Sequence, residues 1–189
     1  SDRALESFLA EHPFLQGHRP IHFSGSLQLK GADCAHPLGA FGPRLLTLDE
    51  YRSISFALFS KDHSLQDLLP DFSNPEFYIP ENKKALYHAL CVASGNFSNL
   101  LAQWSFGLWT KSLSENSKAA AENREVILSA LETYLQMNLA NFRNNPETSL
   151  TGPLVRGDQV TITKNMQALE MASEFEEGKK LRQVYKAFV

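Results

Sequence analysis

The sequence predicts an α/β part followed by an all-α part, and three observations support this division. Short apolar runs that end in Gly, Pro or Ser, as strands do, occur before residue 80. From residue 81 onward, apolar residues recur only at helical spacing. No internal repeat or low-complexity segment interrupts either part. We therefore expect an α/β domain over residues 1–80 and a helical domain over residues 81–189.

The α/β part begins with a predicted helix over residues 2–11, which Pro13 ends. Four apolar runs then predict the strands of a mostly parallel sheet: 20–23, 32–35, 54–59 and 77–79. Between the third and fourth runs, Ser64 and Asp67 have the spacing of a capping box, and Pro70 ends the short helix that follows.

The helical part contains four predicted helices. The first two cover residues 81–110 and 117–143, the third follows Asp158 as its N-cap, and the last covers residues 177–188. Between the second and third helices, the run Thr151-Gly152-Pro153 is typical of a turn.

Charge and composition exclude several functions. The chain has 18 Lys and Arg against 21 Asp and Glu, a net charge of -3, which predicts no nucleic-acid partner. No apolar run is long enough to span a bilayer, and the first residues do not resemble a signal peptide. Cys34 and Cys91 lie far apart and match no zinc spacing. We predict a cytoplasmic protein with no metal and no membrane partner.

One face of the first long helix is unusual because it carries few charges. It contains Lys84, His88, Cys91, Gly95, Asn99 and Ala102. Such a face suits close approach by a ligand, a second backbone or a partner helix. Ordinary helix packing, with His88 hydrogen-bonded inside the core, explains the pattern equally well. Lys84 lies in the first turn, where the helix dipole disfavours a cation, although an ordinary surface lysine is the alternative.

Four segments together resemble a known family. They are HFSGS (22–26), HPLGAF (36–41), KALYHALCVASGN (84–96) and LTGPLVRGD (150–158). In this order they are similar to Rossmann-like NAD(P)-dependent oxidoreductases whose C-terminal domain has no known function, relatives of ketopantoate reductase and the β-hydroxyacid dehydrogenases. The resemblance implies a partial Rossmann-like parallel sheet, a helical domain like that of 6-phosphogluconate dehydrogenase, and a homodimer.

The resemblance also implies roles for individual residues. Lys84 would transfer protons, with His88 as its partner where the β-hydroxyacid dehydrogenases have Asn. A second set would bind a small-molecule substrate: Ser24, Gly25, His36, Asn96, Asn99, Thr151 and Gly152. His22 and Ser24 would contact the nicotinamide end of NADP or NAD, although His22 is equally explained as a strand residue with a satisfied hydrogen bond.

The glycines limit what these residues can bind. None of the ten glycines forms the G-x-G-x-x-G turn that holds a dinucleotide pyrophosphate. Because the chain also begins at Ser1, we expect the phosphate-binding half to lie upstream and the 189 residues alone to be inactive. The leading prediction is hydride transfer between NAD(P) and a small carbonyl, hydroxy, imine or amine substrate. The alternative is a non-catalytic dimerising or ligand-binding module that retains the helical domain.

Overall fold

The computed structural model describes residues 2–112 and 117–189. The chain forms two compact units, Ser1–Asn96 and Phe97–Val189. The first unit includes the helix that begins at Lys84. Composition instead suggested a division after residue 80, and that domain division stays a prediction.

The first unit is built on a four-stranded sheet in the order β1-β2-β3-β4. The strands are β1 (Ile21–His22), β2 (Asp33–Pro37), β3 (Phe56–Leu58) and β4 (Glu76–Tyr78). Strands β1 and β2 are parallel, as are β3 and β4, whereas β2 and β3 are antiparallel, with Pro37 opposite Phe56. The prediction of a mostly parallel sheet is confirmed, with one antiparallel pairing that the apolar pattern alone could not reveal.

Four helices accompany this sheet: α1 (Asp2–Glu11), α2 (Leu48–Ser53), α3 (Leu65–Leu68) and α4 (Lys84–Cys91). The capping box predicted for α3 is present, since Ser64 and Asp67 exchange hydrogen bonds. Helix α2 was not predicted, although Thr47 and Glu50 form a second capping box at its start. The N–H of Glu50 donates to Oγ1 of Thr47 at 3.2 Å, and the N–H of Thr47 donates to Oε2 of Glu50 at 2.7 Å.

The two faces of the sheet carry separate apolar clusters because side chains alternate along a strand. One cluster joins Ala35, Phe56, Leu58 and Leu65, so α3 covers that face. The other joins Ala57, Phe59 and Tyr87, so α4 covers the opposite face. On β2, Cys34 and His36 share the α4 face, whereas Ala35 faces α3.

The second unit is helical, as predicted. Its helices are α5 (Ser98–Ser112), α6 (Ser117–Asn144), α7 (Pro153–Arg156), α8 (Gln159–Met171) and α9 (Glu176–Ala187). Asp158 caps α8 as predicted, accepting the Thr161 N–H at 3.0 Å and its hydroxyl at 2.7 Å. Pro153 begins α7, and the flanking Gly152 and Gly157 have φ values of +98° and +62°, which favour glycine.

The helix predicted over residues 81–110 contains an irregular turn. Its α-helical segments α4 and α5 are separated by a π-helical turn at Val92–Phe97. A π-helical turn adds residues per turn and rotates all later side chains about the axis. The predicted face therefore does not continue as one stripe from Lys84 beyond Cys91. Among the described residues, no atom lies within 4 Å of where a Cβ at Gly95 would be, so close approach does not explain this glycine.

Among residues 2–112 and 117–189, no helix has both the length and the apolar character needed to span a bilayer.

Candidate functional site

The candidate site lies where the parallel strands β1 and β2 end. Ser24 and Gly25 follow β1, and His36 lies near the end of β2. Because the carboxyl ends of parallel strands meet at one edge, these residues come together where open α/β sheets bind ligands. Helix α4 packs over the same face and brings Lys84, Tyr87 and His88 to it.

Lys84 is buried, with 3% of its surface exposed. Its side-chain nitrogen donates to the carbonyl of Leu27, lies 3.1 Å from the sulfur of Cys34 and sits 4.4 Å from the ring centroid of Phe59. No ion pair joins Lys84 to a carboxylate within residues 2–112 and 117–189. The contacts that hold this cation are therefore a carbonyl, a thiol and an aromatic face, each weaker than a carboxylate.

A small cavity of about 90 Å³ adjoins Lys84, with His22, Cys34 and Phe59 in its walls. Two of the three donor positions of the Lys84 ammonium already face the carbonyl of Leu27 and the sulfur of Cys34. Direct proton transfer by Lys84 stays a prediction, and the geometry favours an effect of its charge on neighbouring groups.

All donor and acceptor positions of the Ser24 hydroxyl are occupied. It donates to Asp2 at 2.7 Å and accepts the N–H groups of Ser26 at 3.3 Å and Leu27 at 3.0 Å. A hydroxyl has one donor and two acceptor positions, and all three are filled. The hydroxyl of Ser26 also donates to Asp2, at 2.8 Å, and these two hydrogen bonds lower the pKa of Asp2. Ser24 thus fixes the shape of the turn around Gly25.

Gly25 is buried against two imidazole rings. A Cβ at this position would lie 2.8 Å from Nε2 of His36 and 2.9 Å from Cδ2 of His88. Both distances are shorter than ordinary contacts, so only glycine fits here without moving a ring. The backbone N–H of Gly25 donates to no partner within the described part of the chain. The turn therefore offers a free donor beside two titratable side chains.

His36 is held by Tyr87. The hydroxyl oxygen of Tyr87 lies 2.7 Å from Nδ1 of His36, and the two rings meet edge to face with centroids 5.6 Å apart. Tyr87 itself is buried, with 8% exposed. Burial raises the pKa of Tyr87, and the nearby Cys91 raises it further, so the phenol keeps its proton.

His36 and His22 resist protonation. Burial lowers the pKa of His36, and the charges of His88 and Lys84 lower it further against the opposing effect of Asp2. Burial also lowers the pKa of His22, again with a contribution from Lys84. Nδ1 of His22 accepts the N–H of Ser24 at 3.3 Å, as expected for a strand residue with a satisfied hydrogen bond. Burial raises the pKa of Cys34, which Lys84 partly offsets, and this disfavours a reactive thiolate.

The remaining predicted site residues are Asn96, Asn99, Thr151 and Gly152. Asn96 is exposed in the π-helical turn of the first unit. Asn99, Thr151 and Gly152 belong to the second unit, where Asn99 and Thr151 are exposed and Gly152 is half-buried. Their proposed contacts with a substrate stay predictions.

Three residues that the sequence did not single out for this site contribute to it: Asp2, Cys34 and Tyr87. Tyr87 could have been found, because it follows Lys84 by three residues and shares its helix face. Cys34 could also have been found, because it precedes His36 by two residues on one strand. The contact from Asp2 depends on the position of α1, which no local pattern gives.

A larger cavity, of about 460 Å³, lies on the opposite face of the sheet. Its walls are mostly apolar and include Phe23, Phe41, Tyr51, Phe56 and Phe72. No histidine or lysine lines it. We assign the candidate site to the α4 face because two histidines, His36 and His88, meet there. Within residues 2–112 and 117–189, no three His, Cys, Asp or Glu side chains lie close enough together to hold a metal ion.

The fold belongs to a recognisable class. A partly parallel sheet followed by a helical unit resembles two solved structures. Protein TM1727 from Thermotoga maritima has a TM-score of 0.55 and 24% identity, over 88% of this chain and 68% of that chain. Putative NADP oxidoreductase BF3122 from Bacteroides fragilis has a TM-score of 0.64 and 18% identity, over 96% of this chain and 70% of that chain. The fold is therefore Rossmann-like, as predicted.

The family follows from the sequence itself. Residues 60–189 match the family described as "Domain of unknown function (DUF2520)", and the chain belongs to that family. No curated protein matches this sequence.

Proposed function

We propose that this protein is an NAD(P)-dependent oxidoreductase that acts on a small carbonyl, hydroxy, imine or amine substrate. The observation that carries the proposal is the meeting of His36 and His88 at Gly25, beside the carboxyl ends of β1 and β2. The likeness of the fold to BF3122, whose name describes a putative NADP oxidoreductase, supports the same class of chemistry. Fold alone does not define a reaction, so the roles below depend on the site.

Two imidazoles suit the proton movement that accompanies hydride transfer. Reduction of a carbonyl or imine leaves a negative charge on oxygen or nitrogen, and that atom must accept a proton. At Gly25 one imidazole can hold the atom by a hydrogen bond while the other exchanges its proton. The free N–H of Gly25 can stabilise the same developing charge.

Lys84 would act on this chemistry indirectly. Its charge is one of the causes that lower the pKa of both His36 and His22. A neutral His36 keeps one nitrogen as a donor and one as an acceptor, whereas the protonated form would attract anions without discrimination. The charge of Lys84 therefore favours neutral histidines, which suit a neutral, polarisable substrate group.

The dinucleotide fits these residues only in part. The space at Gly25 itself is filled by the rings of His36 and His88, so a nicotinamide ring would have to meet the outer edges of these imidazoles. A pyrophosphate cradle is missing from the 189 residues, since their glycines form no G-x-G-x-x-G turn before a helix. We therefore expect the 189-residue chain to bind NADP or NAD weakly. When bound, the cofactor would supply the hydride, and His36 and His88 would handle the proton.

We also propose that the protein is a homodimer formed through α6. Of the residues on this helix with described side chains, Leu131 is buried and most others are exposed. An apolar groove runs along it, lined in part by Val126, Ala130, Tyr134 and Met137. These four residues follow one another in steps of four, four and three, which places them on one face of the helix. A second copy of α6 offers the same spacing, and a two-fold axis is the commonest way to pair such surfaces.

The activity test uses the full-length gene product, NADPH and NADH, and a panel of small 2-oxo acids, aldehydes and cyclic imines. Oxidation of the nicotinamide would be followed by its absorbance. We expect His36→Gln and His88→Gln each to lower kcat by about a hundredfold, the lower end of the range for acid–base groups. The exposed His18 provides the matched control, and His18→Gln should leave kcat unchanged. Full activity in both site variants would contradict the proposal.

A further inference from the structure

The ring of Tyr87 is fixed by its aromatic neighbours. It meets Phe59 edge to face at 5.5 Å between centroids, and it meets Phe77 in the same way at 6.2 Å. Its position on α4, three residues after Lys84, places it deep in the apolar cluster of this face. The hydroxyl group therefore has a defined location, and its contact with His36 is not the chance contact of a mobile side chain.

The two nitrogens of His36 face different partners. Nδ1 lies 2.7 Å from the hydroxyl oxygen of Tyr87. Nε2 points towards Gly25, where an added Cβ would lie 2.8 Å from it. The imidazole thus connects the buried phenol of Tyr87 on one side with the turn at Gly25 on the other. A neutral imidazole carries one ring proton. The contact between Tyr87 and Nδ1 therefore determines whether Nε2 donates or accepts a hydrogen bond.

We propose that Tyr87 is a positioning residue that holds His36 in the tautomer with its proton on Nε2. A phenol that keeps its proton donates it to the free lone pair of Nδ1, which leaves the ring proton on the other nitrogen. His36 then presents an N–H to the space beside Gly25. His36 becomes the group that holds a substrate oxygen or nitrogen by a hydrogen bond, and His88 is left as the group that exchanges the proton. This division of labour rests on the proposed function, whereas the tautomer does not.

The charged and titratable groups around His36 are consistent with a neutral ring. His88 and Lys84 face it from α4, and Asp2 acts on it from α1. The two groups on α4 oppose protonation of His36, while Asp2 favours it. The hydroxyl of Tyr87 adds to the first effect, since a donor to Nδ1 stabilises only the neutral ring.

The experiment is ¹⁵N-detected NMR of the histidine rings in the 189-residue chain, without cofactor or substrate, at pH 7.5. Multiple-bond ¹H–¹⁵N spectra separate a protonated from an unprotonated ring nitrogen. We expect His36 to be protonated at Nε2 in the wild-type chain. In Tyr87→Phe, which keeps the ring, we expect the preference to be lost and the pKa of His36 to rise. Tyr78→Phe is the matched control, because Tyr78 is 40% exposed and its hydroxyl makes no hydrogen bond within the described residues.

The wild-type spectrum alone can overturn the inference, so a Tyr87 variant that does not fold leaves it testable. Protonation of His36 at Nδ1 in the wild-type chain would overturn it, as would unchanged tautomer populations in Tyr87→Phe. An active full-length gene product should also lose about tenfold in kcat/KM on Tyr87→Phe, the effect of one neutral hydrogen bond. If the tautomer is as expected but no substrate is reduced, the proposed function fails and the role of Tyr87 in fixing His36 stands.

Discussion

The side-chain nitrogen of Lys84 lies 3.1 Å from the sulfur of Cys34, on the sheet face that also carries His36. A lysine with 3% of its surface exposed normally has a carboxylate partner. Here the cation meets a thiol, a carbonyl and an aromatic ring instead. Because none of these three groups is a carboxylate, the positive charge of Lys84 is poorly neutralised. It therefore acts on the neighbouring imidazoles.

Removing that charge should change how the histidines titrate. In Lys84→Met we expect the pKa values of His36 and His22 to rise, because the lysine charge contributes to lowering both. The titration is followed by NMR of the ring protons between pH 4.5 and 8. Lys83→Met is the control, since Lys83 is the exposed neighbour of Lys84. Histidine pKa values that stay the same in Lys84→Met would show that the lysine has no electrostatic role here.

Gly25 should tolerate no side chain. Gly25→Ala would place a Cβ 2.8 Å from Nε2 of His36 and 2.9 Å from the ring of His88. Separating the rings should lower the free energy of unfolding by about 1–3 kcal/mol, as overpacking does. Gly42→Ala is the matched control, because no atom of the described residues lies within 4 Å of its Cβ position. Urea denaturation measures both, and equal stability of the two variants would contradict the close contact.

Stability should fall at mildly acidic pH. In the unfolded chain His22 and His36 titrate near ~6.5, whereas burial lowers the pKa of each in the folded state. The unfolded state then binds more protons, so the free energy of unfolding decreases as pH falls below about 6.5 and levels off beneath the folded values. Carboxylates such as Asp2, whose pKa is lowered from 3.8, contribute only at lower pH.

Urea denaturation at pH 7.5, 6.5 and 5.5 measures this effect. His36→Gln should show a smaller decrease over the same range than the wild-type chain. If the variant and the wild type lose equal stability, His36 is not the source of the pH dependence.

The dimer proposal predicts the effect of a charge in the α6 groove. Met137 is 61% exposed and lines that groove. Met137→Glu should convert a dimer to a monomer, because two like charges would meet across the symmetry axis without a partner. Met171→Glu is the control, since Met171 is 83% exposed on α8, outside the groove. Sedimentation at micromolar concentration decides, and a wild-type monomer would contradict the proposal.

The sequence predicted the fold better where signals are local. Apolar runs located all four strands, and Asp158 located the start of α8. The direction of β3 was beyond such reasoning, because an apolar run has the same appearance in either orientation. The π-helical turn at Val92–Phe97 was also missed, and it breaks the regular spacing from which the site face was extended to Asn99.

Only the part of the site that lies in local motifs was predicted from the sequence. His36, His88 and Gly25 were named from motifs, and the structure brings them together. The burial of Lys84 could not be predicted, because a lysine in the first turn of a helix is ordinarily exposed. Contacts from Asp2 and Tyr87 depend on how α1 and α4 pack on the sheet, and that packing is a tertiary property.

The proposed site requires the nicotinamide end of a dinucleotide to reach the imidazoles at Gly25. The most direct measurement is NMR of the full-length gene product with NADP⁺, recording contacts between nicotinamide ring protons and histidine ring protons. We predict contacts to His36 or His88, with no contact to His18. NADP⁺ and NAD⁺ that fail to bind, or a nicotinamide ring that contacts neither imidazole, would contradict the account.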